Sequence, residues 1–434
     1  MNFPHAAQID DIQTDPQMPT FVRARYEPEI EAIDDPGAAA RAEVATLPVE
    51  ELEPGSTVAV GVGSRGIHDM VPVAEAVVEE LQDRGFECTV VPAMGSHGGA
   101  SPAGQLEILG TLGITEASLG CPIDARMDVE SLGEVTVGDI AAEVFFSTAA
   151  LEADAVLPIN RVKAHTSFEG SFESGLCKML VVGFGKQHGA NAMHRVANAA
   201  GYEETIGTML ETILETVAIL GGIALVENFR DTTATITAVS AGNLPGAEHE
   251  LLEESYRRMA SLPADEIDLL ILDEIGKEIS GTGMDTNVVG RYRKPTMEDP
   301  AFPDITVIYV RNLTEATKQN GYGIGLADLT RSAVTDEIDL QKVYANVLTS
   351  GSLSMAQLPV TLPDDRQALA AAATAMGAYS PERAKIAWVQ NTTDLSEIVV
   401  SEPLFDQISA DVEPIGREQL TFDGDQMQFH AVDR

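Results

Sequence analysis

From residue 57 onward, short apolar runs alternate with helically spaced patterns, and this alternation constrains the fold more than any other feature. Thr57–Gly61 (TVAVG) is a β-branched run that opens into a glycine loop, and Val71–Leu81 then carries apolar residues at helical spacing. Cys88–Val91 repeats the theme, ending in PAMGSHGGA before a helical Pro102–Leu112, and Ala155–Ile159 is a further strand. Strands alternating with helices predict a parallel sheet in an α/β domain. Thr205–Leu220 is helical in period, and the strand-like runs IALVENF and TATITAVSAG follow it. A second α/β unit starts at Ile267–Leu272. It continues through a strand at Ile305–Val310, helices near Leu340–Leu348 and Arg366–Met376, and a strand at Lys385–Val389.

A length of 434 residues sets a prior of two or three domains of about 150 each. The expectation is two α/β domains with mainly parallel sheets and an active-site cleft between them. Residues 1–255 form the first and carry the functional loops, and residues 256–434 close over the substrate. Residues 1 to about 50, acidic and dotted with proline, read as an arm over the first domain. Glu248–Ala260 reads as an exposed linking helix.

The net charge is −41, from 68 acidic and 27 basic residues spread along the chain. That surface suits a protein kept soluble at high salt, where like-charge repulsion is screened, and predicts a halophilic source. It argues against nucleic acid and anionic membranes, both of which need a basic face. No run of about 18 apolar residues predicts a membrane span. The first residues lack a basic region and an apolar core, so they do not read as a secretory signal, and a cytoplasmic location is expected. Cys88, Cys121 and Cys177 show no metal-finger or redox spacing and read as buried thiols.

Against that background, Arg161–His194 stands out. The chain has 8 lysines and 8 histidines, and this window holds Lys163, Lys178, Lys186, His165, His188 and His194. Scarce cations among glycines point to an anionic ligand or a metal. Two upstream loops carry the same chemistry. Gly61–Ile67 (GVGSRGI) joins a strand to a helix, so backbone N–H groups can meet an anion there and Arg65 can fork onto a phosphate or carboxylate. Gly95–Gly99 (GSHGG) lies at the carboxyl end of the next strand, where ligands of open α/β sheets bind, and His97 is a candidate acid/base. His188 and His194 are six residues apart, so on a helix they face different ways. The zincin and deaminase signatures are absent.

Together GSRGI, PAMGSHGG, NRVKAHTSFEG, ESGLCKM and GKQHGANAMH resemble the nickel-pincer-dependent lactate racemase family and its 2-hydroxy-acid racemase and epimerase relatives. The resemblance covers about residues 55–200. It implies an isomerase that uses the nickel pincer nucleotide, a pyridinium-3,5-bisthiocarboxylic acid mononucleotide nickel complex, on a small 2-hydroxy acid. It also implies partner proteins that make and load the cofactor. Lys178 matches the lysine tied to the cofactor, His194 the nickel ligand, and His97 and His165 the two acid/base histidines. Arg65 matches the arginine of the first loop, which serves catalysis and substrate binding. Ser64, Gly66, Gly95 and Lys186 complete the expected cofactor contacts. Ser280–Asn287 (SGTGMDTN) resembles a second-domain loop of the family, and Lys277 and Arg293 are candidate substrate cations. Two other readings are a lysine Schiff-base enzyme with an aldehyde cofactor and a non-catalytic cofactor- or ligand-binding protein.

Overall fold

A computed structural model describes residues 3–12, 15–28, 30–64, 66–166, 168–293, 298–408, 411–424 and 426–432. The strands are β1 (Thr20–Tyr26), β2 (Thr57–Val62), β3 (Glu87–Pro92), β4 (Val129–Val137), β5 (Ile140–Ser147), β6 (Ala155–Arg161), β7 (Gly221–Glu227) and β8 (Thr233–Ser240), then β9 (Glu266–Leu272), β10 (Asp304–Val310), β11 (Leu329–Arg331), β12 (Val360–Leu362), β13 (Ile386–Val389), β14 (Glu397–Ser401), β15 (Val412–Asp423) and β16 (Gln426–Ala431). The chain forms two compact α/β units, Ile30–Met259 and Met1–Glu29 with Ala260–Arg434. Among the described residues no helix is long and apolar enough to cross a membrane.

In the Ile30–Met259 unit, one sheet runs β3-β2-β6-β7-β8. The first four strands are parallel and β8 closes the edge antiparallel to β7. Every residue of β7 and all but Thr57 of β2 are buried, as expected of parallel strands covered on both faces. The helix Met70–Asp83 lays Met70, Val73, Ala74, Val77, Val78 and Leu81 into the core beside Val58, Val60, Leu157 and Ile159. β4 and β5 form a separate two-stranded sheet. The connection from β6 to β7 is long. It holds a short helix at Leu176–Lys178, a π-helical turn at Met179–Gly183, and helices at Lys186–Ala200 and Tyr202–Thr216.

Two glycines let that connection press against the strand ends. A Cβ on Gly61 would fall 2.3 Å from the Phe184 ring, and one on Gly183 would fall 2.5 Å from the Ala93 carbonyl oxygen. The helix Gly246–Arg258 is not the exposed linker expected from its charged sequence. It buries Glu248, Leu251, Leu252 and Ser255.

The other unit is built on a nine-stranded sheet, β12-β11-β10-β9-β13-β14-β1-β15-β16. The five strands from β12 to β13 are parallel, and the remaining neighbours pair antiparallel. Residues 20–26 are therefore not an arm over the first domain. They form β1, an interior strand held between β14 and β15, with Phe21 opposite Ser401 and Glu418. Both neighbours pair with its backbone, and Phe21 packs into the core of the C-terminal unit.

Candidate functional site

The long β6–β7 connection begins with a closed loop. Lys163 and Ser174 exchange two backbone hydrogen bonds, 2.9 and 3.1 Å, and pinch off residues 164–173. Glu173, 1% exposed, fills the loop from within. Its carboxylate accepts the backbone N–H groups of His165 and of Gly170 (3.3 Å) and the Tyr256 hydroxyl (2.8 Å). Burial pushes its pKa from 4.5 up to about 7, and these three donors pull the other way.

A second buried carboxylate sets the next segment. Glu248, fully enclosed, accepts the Cys177 N–H at 2.9 Å, and its Oε1 has no hydrogen-bond partner among the described residues. Burial raises its pKa from 4.5 to about 7, opposed by the N–H groups of Cys177 and Leu176. Gly175 is required beside it, because a Cβ there would fall 2.5 Å from the Glu248 carboxyl. The Asn160 amide adds a 2.7 Å bond to the Gly175 carbonyl. The Cys177 thiol is buried, and desolvation followed by the neighbouring Glu248 raises its pKa, so it is no thiolate nucleophile.

Lys178 follows directly and leads into the π turn, a geometry frequent at functional sites. Its Nζ lies over the Phe168 ring, 5.4 Å from the centroid. The His165 ring is 4.5 Å from the same ring, centroid to centroid. Phe168 stacks on Tyr202 at 4.6 Å and 10°, and His194 meets Tyr202 edge-on at 6.0 Å. An aromatic pair thus gathers His165, Lys178 and His194, three residues the sequence had singled out. His188, on the same helix as His194, turns elsewhere and lies 5.7 Å from the Phe145 ring. Sequence reasoning missed Phe168, Tyr202, Glu173 and Glu248. Aromatics make up only 5% of the chain, and that scarcity was the available signal for the first two.

The two upstream loops meet as well. His97 follows β3 on an exposed turn, and its Nδ1 is hydrogen-bonded to Ser64 Oγ from the loop after β2. Gly95 is buried at φ +60°, and its N–H donates to the Gly183 carbonyl at 3.1 Å, so the His97 loop rests on the π turn that follows Lys178. Gly95 therefore serves chain packing, whereas Gly66 is exposed. Arg65 lies outside the described residues. Lys186 is not presented to a cofactor surface. It is fully buried and donates to the Pro92 carbonyl at 2.7 Å and to Gln105 Oε1 at 3.3 Å.

In the other unit, Lys277 donates to Asn346 Oδ1 and sits 5.0 Å over the Tyr322 ring. The Arg293 guanidinium is occupied by the carbonyls of Gly325 (2.6 Å) and Ala327 (3.2 Å) and by Asp328. Arg291 pairs with the same Asp328 at 2.6 Å. Arg293 thus ties its loop to the turn at residues 325–328.

A family model described as a domain of unknown function (DUF362) matches residues 65–247. No curated protein matches the chain. Among solved structures, the lactate racemase apoprotein from Thermoanaerobacterium thermosaccharolyticum is similar at 12% identity and a TM-score of 0.44. That alignment covers 86% of this chain and 89% of the other.

Proposed function

We propose that this protein is a nickel-pincer-nucleotide-dependent racemase or epimerase of a 2-hydroxy acid. The observation that carries this reading is the gathering of His165, Lys178 and His194 around the Phe168–Tyr202 stack. The donor set fits such a cofactor. Among the described residues no group of three or more His, Cys, Asp and Glu side chains is placed to hold a metal ion. A metal at His194 must then bring most of its own ligands, as a pincer does. Lys178 offers the amine that tethers the nucleotide, and Phe168 and Tyr202 offer aromatic surface to a planar ring.

When bound, the cofactor supplies a reversible acceptor for the hydride at C2, so the C–H bond breaks without a free carbanion. The chain's own residues move the proton and hold the acid. For one enantiomer a histidine would take the proton from the C2 hydroxyl, and on the way to the other enantiomer the second histidine would give a proton back to that oxygen. His165 and His97 are the pair assigned to these roles, each contributing about 10²–10⁴-fold in rate. The Ser64 hydroxyl, hydrogen-bonded to His97 Nδ1, fixes the orientation of the imidazole. Arg65 is assigned to the substrate carboxylate, where a forked cation binds best.

The test is purification from a host that makes the cofactor. The expected result is one nickel per chain, a nucleotide-sized mass adduct that Lys178→Ala lacks, and interconversion of the enantiomers of a 2-hydroxy acid. A metal-free protein with aldimine absorbance at Lys178 would instead establish the Schiff-base enzyme.

A further inference from the structure

Lys186 and Gln105 are both fully buried, and the proposed chemistry uses neither. Lys186 opens the helix Lys186–Ala200, which carries His194. Gln105 lies on the helix Pro102–Thr111, which follows the His97 loop. We infer that the two form a positioning strut that sets the His97 loop against the helix bearing His194. For turnover as a readout the inference rests on the function proposed above; for loop geometry it does not.

The argument turns on which way a carboxamide faces. An ammonium has three donors and no acceptor. Lys186 Nζ at 3.3 Å therefore requires the oxygen of the Gln105 amide, which turns its NH₂ toward the loop. There Nε2 donates to the Gly95 carbonyl at 3.0 Å and to the His97 carbonyl at 3.4 Å. A flipped amide would press NH₂ against NH₃⁺ and its oxygen against two carbonyl oxygens. The buried charge thus locks the amide, and the amide clamps the loop. From the other side Gly95 N–H is bonded to Gly183 of the π turn, so the backbone leading into His97 is held on both sides.

The arrangement carries a desolvation cost that packing alone does not require. Lys186 buries a cation on two neutral acceptors, and burial pulls its pKa from 10.5 down to about 8, with the charge of Asp124 acting in the other direction. An apolar residue would fill the same space without that penalty.

Gln105→Glu separates a strut from simple packing. The carboxylate still accepts from Lys186, now as an ion pair, but cannot donate to the loop. The expected result is a variant that still unfolds cooperatively, with amide hydrogen exchange of residues 95–100 faster by on the order of tenfold, as befits the loss of both Nε2 donations to the loop. Turnover should fall by about 10- to 100-fold with KM within about twofold, because the base is misplaced while binding persists. Lys186→Met, which removes the charge that holds the amide oxygen but leaves both loop carbonyls facing the NH₂, should give a loop signature of the same sign and smaller size. Unchanged exchange at residues 95–100 in both variants overturns the inference, as does faster exchange with wild-type turnover. If the wild-type protein racemises no 2-hydroxy acid, the functional proposal has failed on its own, and exchange still decides the strut.

Discussion

Replacing Glu248 by glutamine should remove a pH-dependent weakness at the base of the Lys178 segment. The carboxyl is fully buried, one oxygen has no hydrogen-bond partner among the described residues, and its pKa is raised from 4.5 to about 7. The folded state therefore holds its proton more tightly than the unfolded chain does. Below about pH 4.5 both states are protonated and the group contributes nothing. As pH rises toward 7 the unfolded chain releases its proton first, so stability falls, and above 7 the full penalty is present. A displacement of that size corresponds to under 1 kcal/mol at pH 5 and about 3 kcal/mol at pH 8. Glutamine is isosteric, still accepts the Cys177 N–H, and never ionises. The variant's stability relative to wild type should therefore improve by roughly 2–3 kcal/mol between pH 5 and pH 8. Urea denaturation followed by far-ultraviolet circular dichroism measures this. The sole tryptophan, Trp388, lies in the other unit and would report the wrong transition. The difference should persist at high salt, because desolvation rather than long-range charge causes it. A stability gap between the two proteins that stays constant from pH 5 to pH 8 would refute the reasoning.

Two further outcomes follow from the same region. His194→Ala should abolish nickel retention by the holoenzyme while His188→Ala keeps most of it, since His194 meets Tyr202 whereas His188 lies against Phe145; metal analysis of the two purified variants decides. Gly61→Ala should destabilise the Ile30–Met259 unit by about 1–3 kcal/mol or more, because its Cβ would overlap the Phe184 ring and force it to shift. Denaturation with unchanged stability would mean that the ring moves freely.

The sequence shows its repeating units where short-range physics fixes them. β2, β3, β6, β9 and β10 were legible because each is a short apolar run bounded by turn residues. β1 was not, since its burial depends on strands nearly 400 residues away. The glycine loops were read as anion cradles, and the local pattern was the same. Only the fold reveals that Gly61 admits Phe184 and that Gly95 rests on the π turn. The cations at 165, 178 and 194 could be picked out by rarity. The Phe168–Tyr202 stack that gathers them spans 34 positions (202 − 168) with no periodicity to announce it. Lys186 stands out in the sequence among cations expected to meet a ligand, yet the fold buries it on Pro92 and Gln105. A buried lysine and an exposed one are written with the same letter.

The interior position of β1 has a consequence for synthesis. The strand is made before both of its neighbours, and Arg23 finds its two ion-pair partners, Glu397 and Glu418, only 374 and 395 residues later. The Ile30–Met259 unit is contiguous and can fold while the rest is still being made. Residues 20–26 must meanwhile wait as an unpaired, partly apolar segment, the kind that templates aggregation. Arg23 and Arg25 within TFVRARY keep that waiting strand charged, and Arg23 becomes a bridge between β14 and β15 once both flanks arrive. In the nascent chain, then, the arginine that later joins three strands first serves as the guard of one.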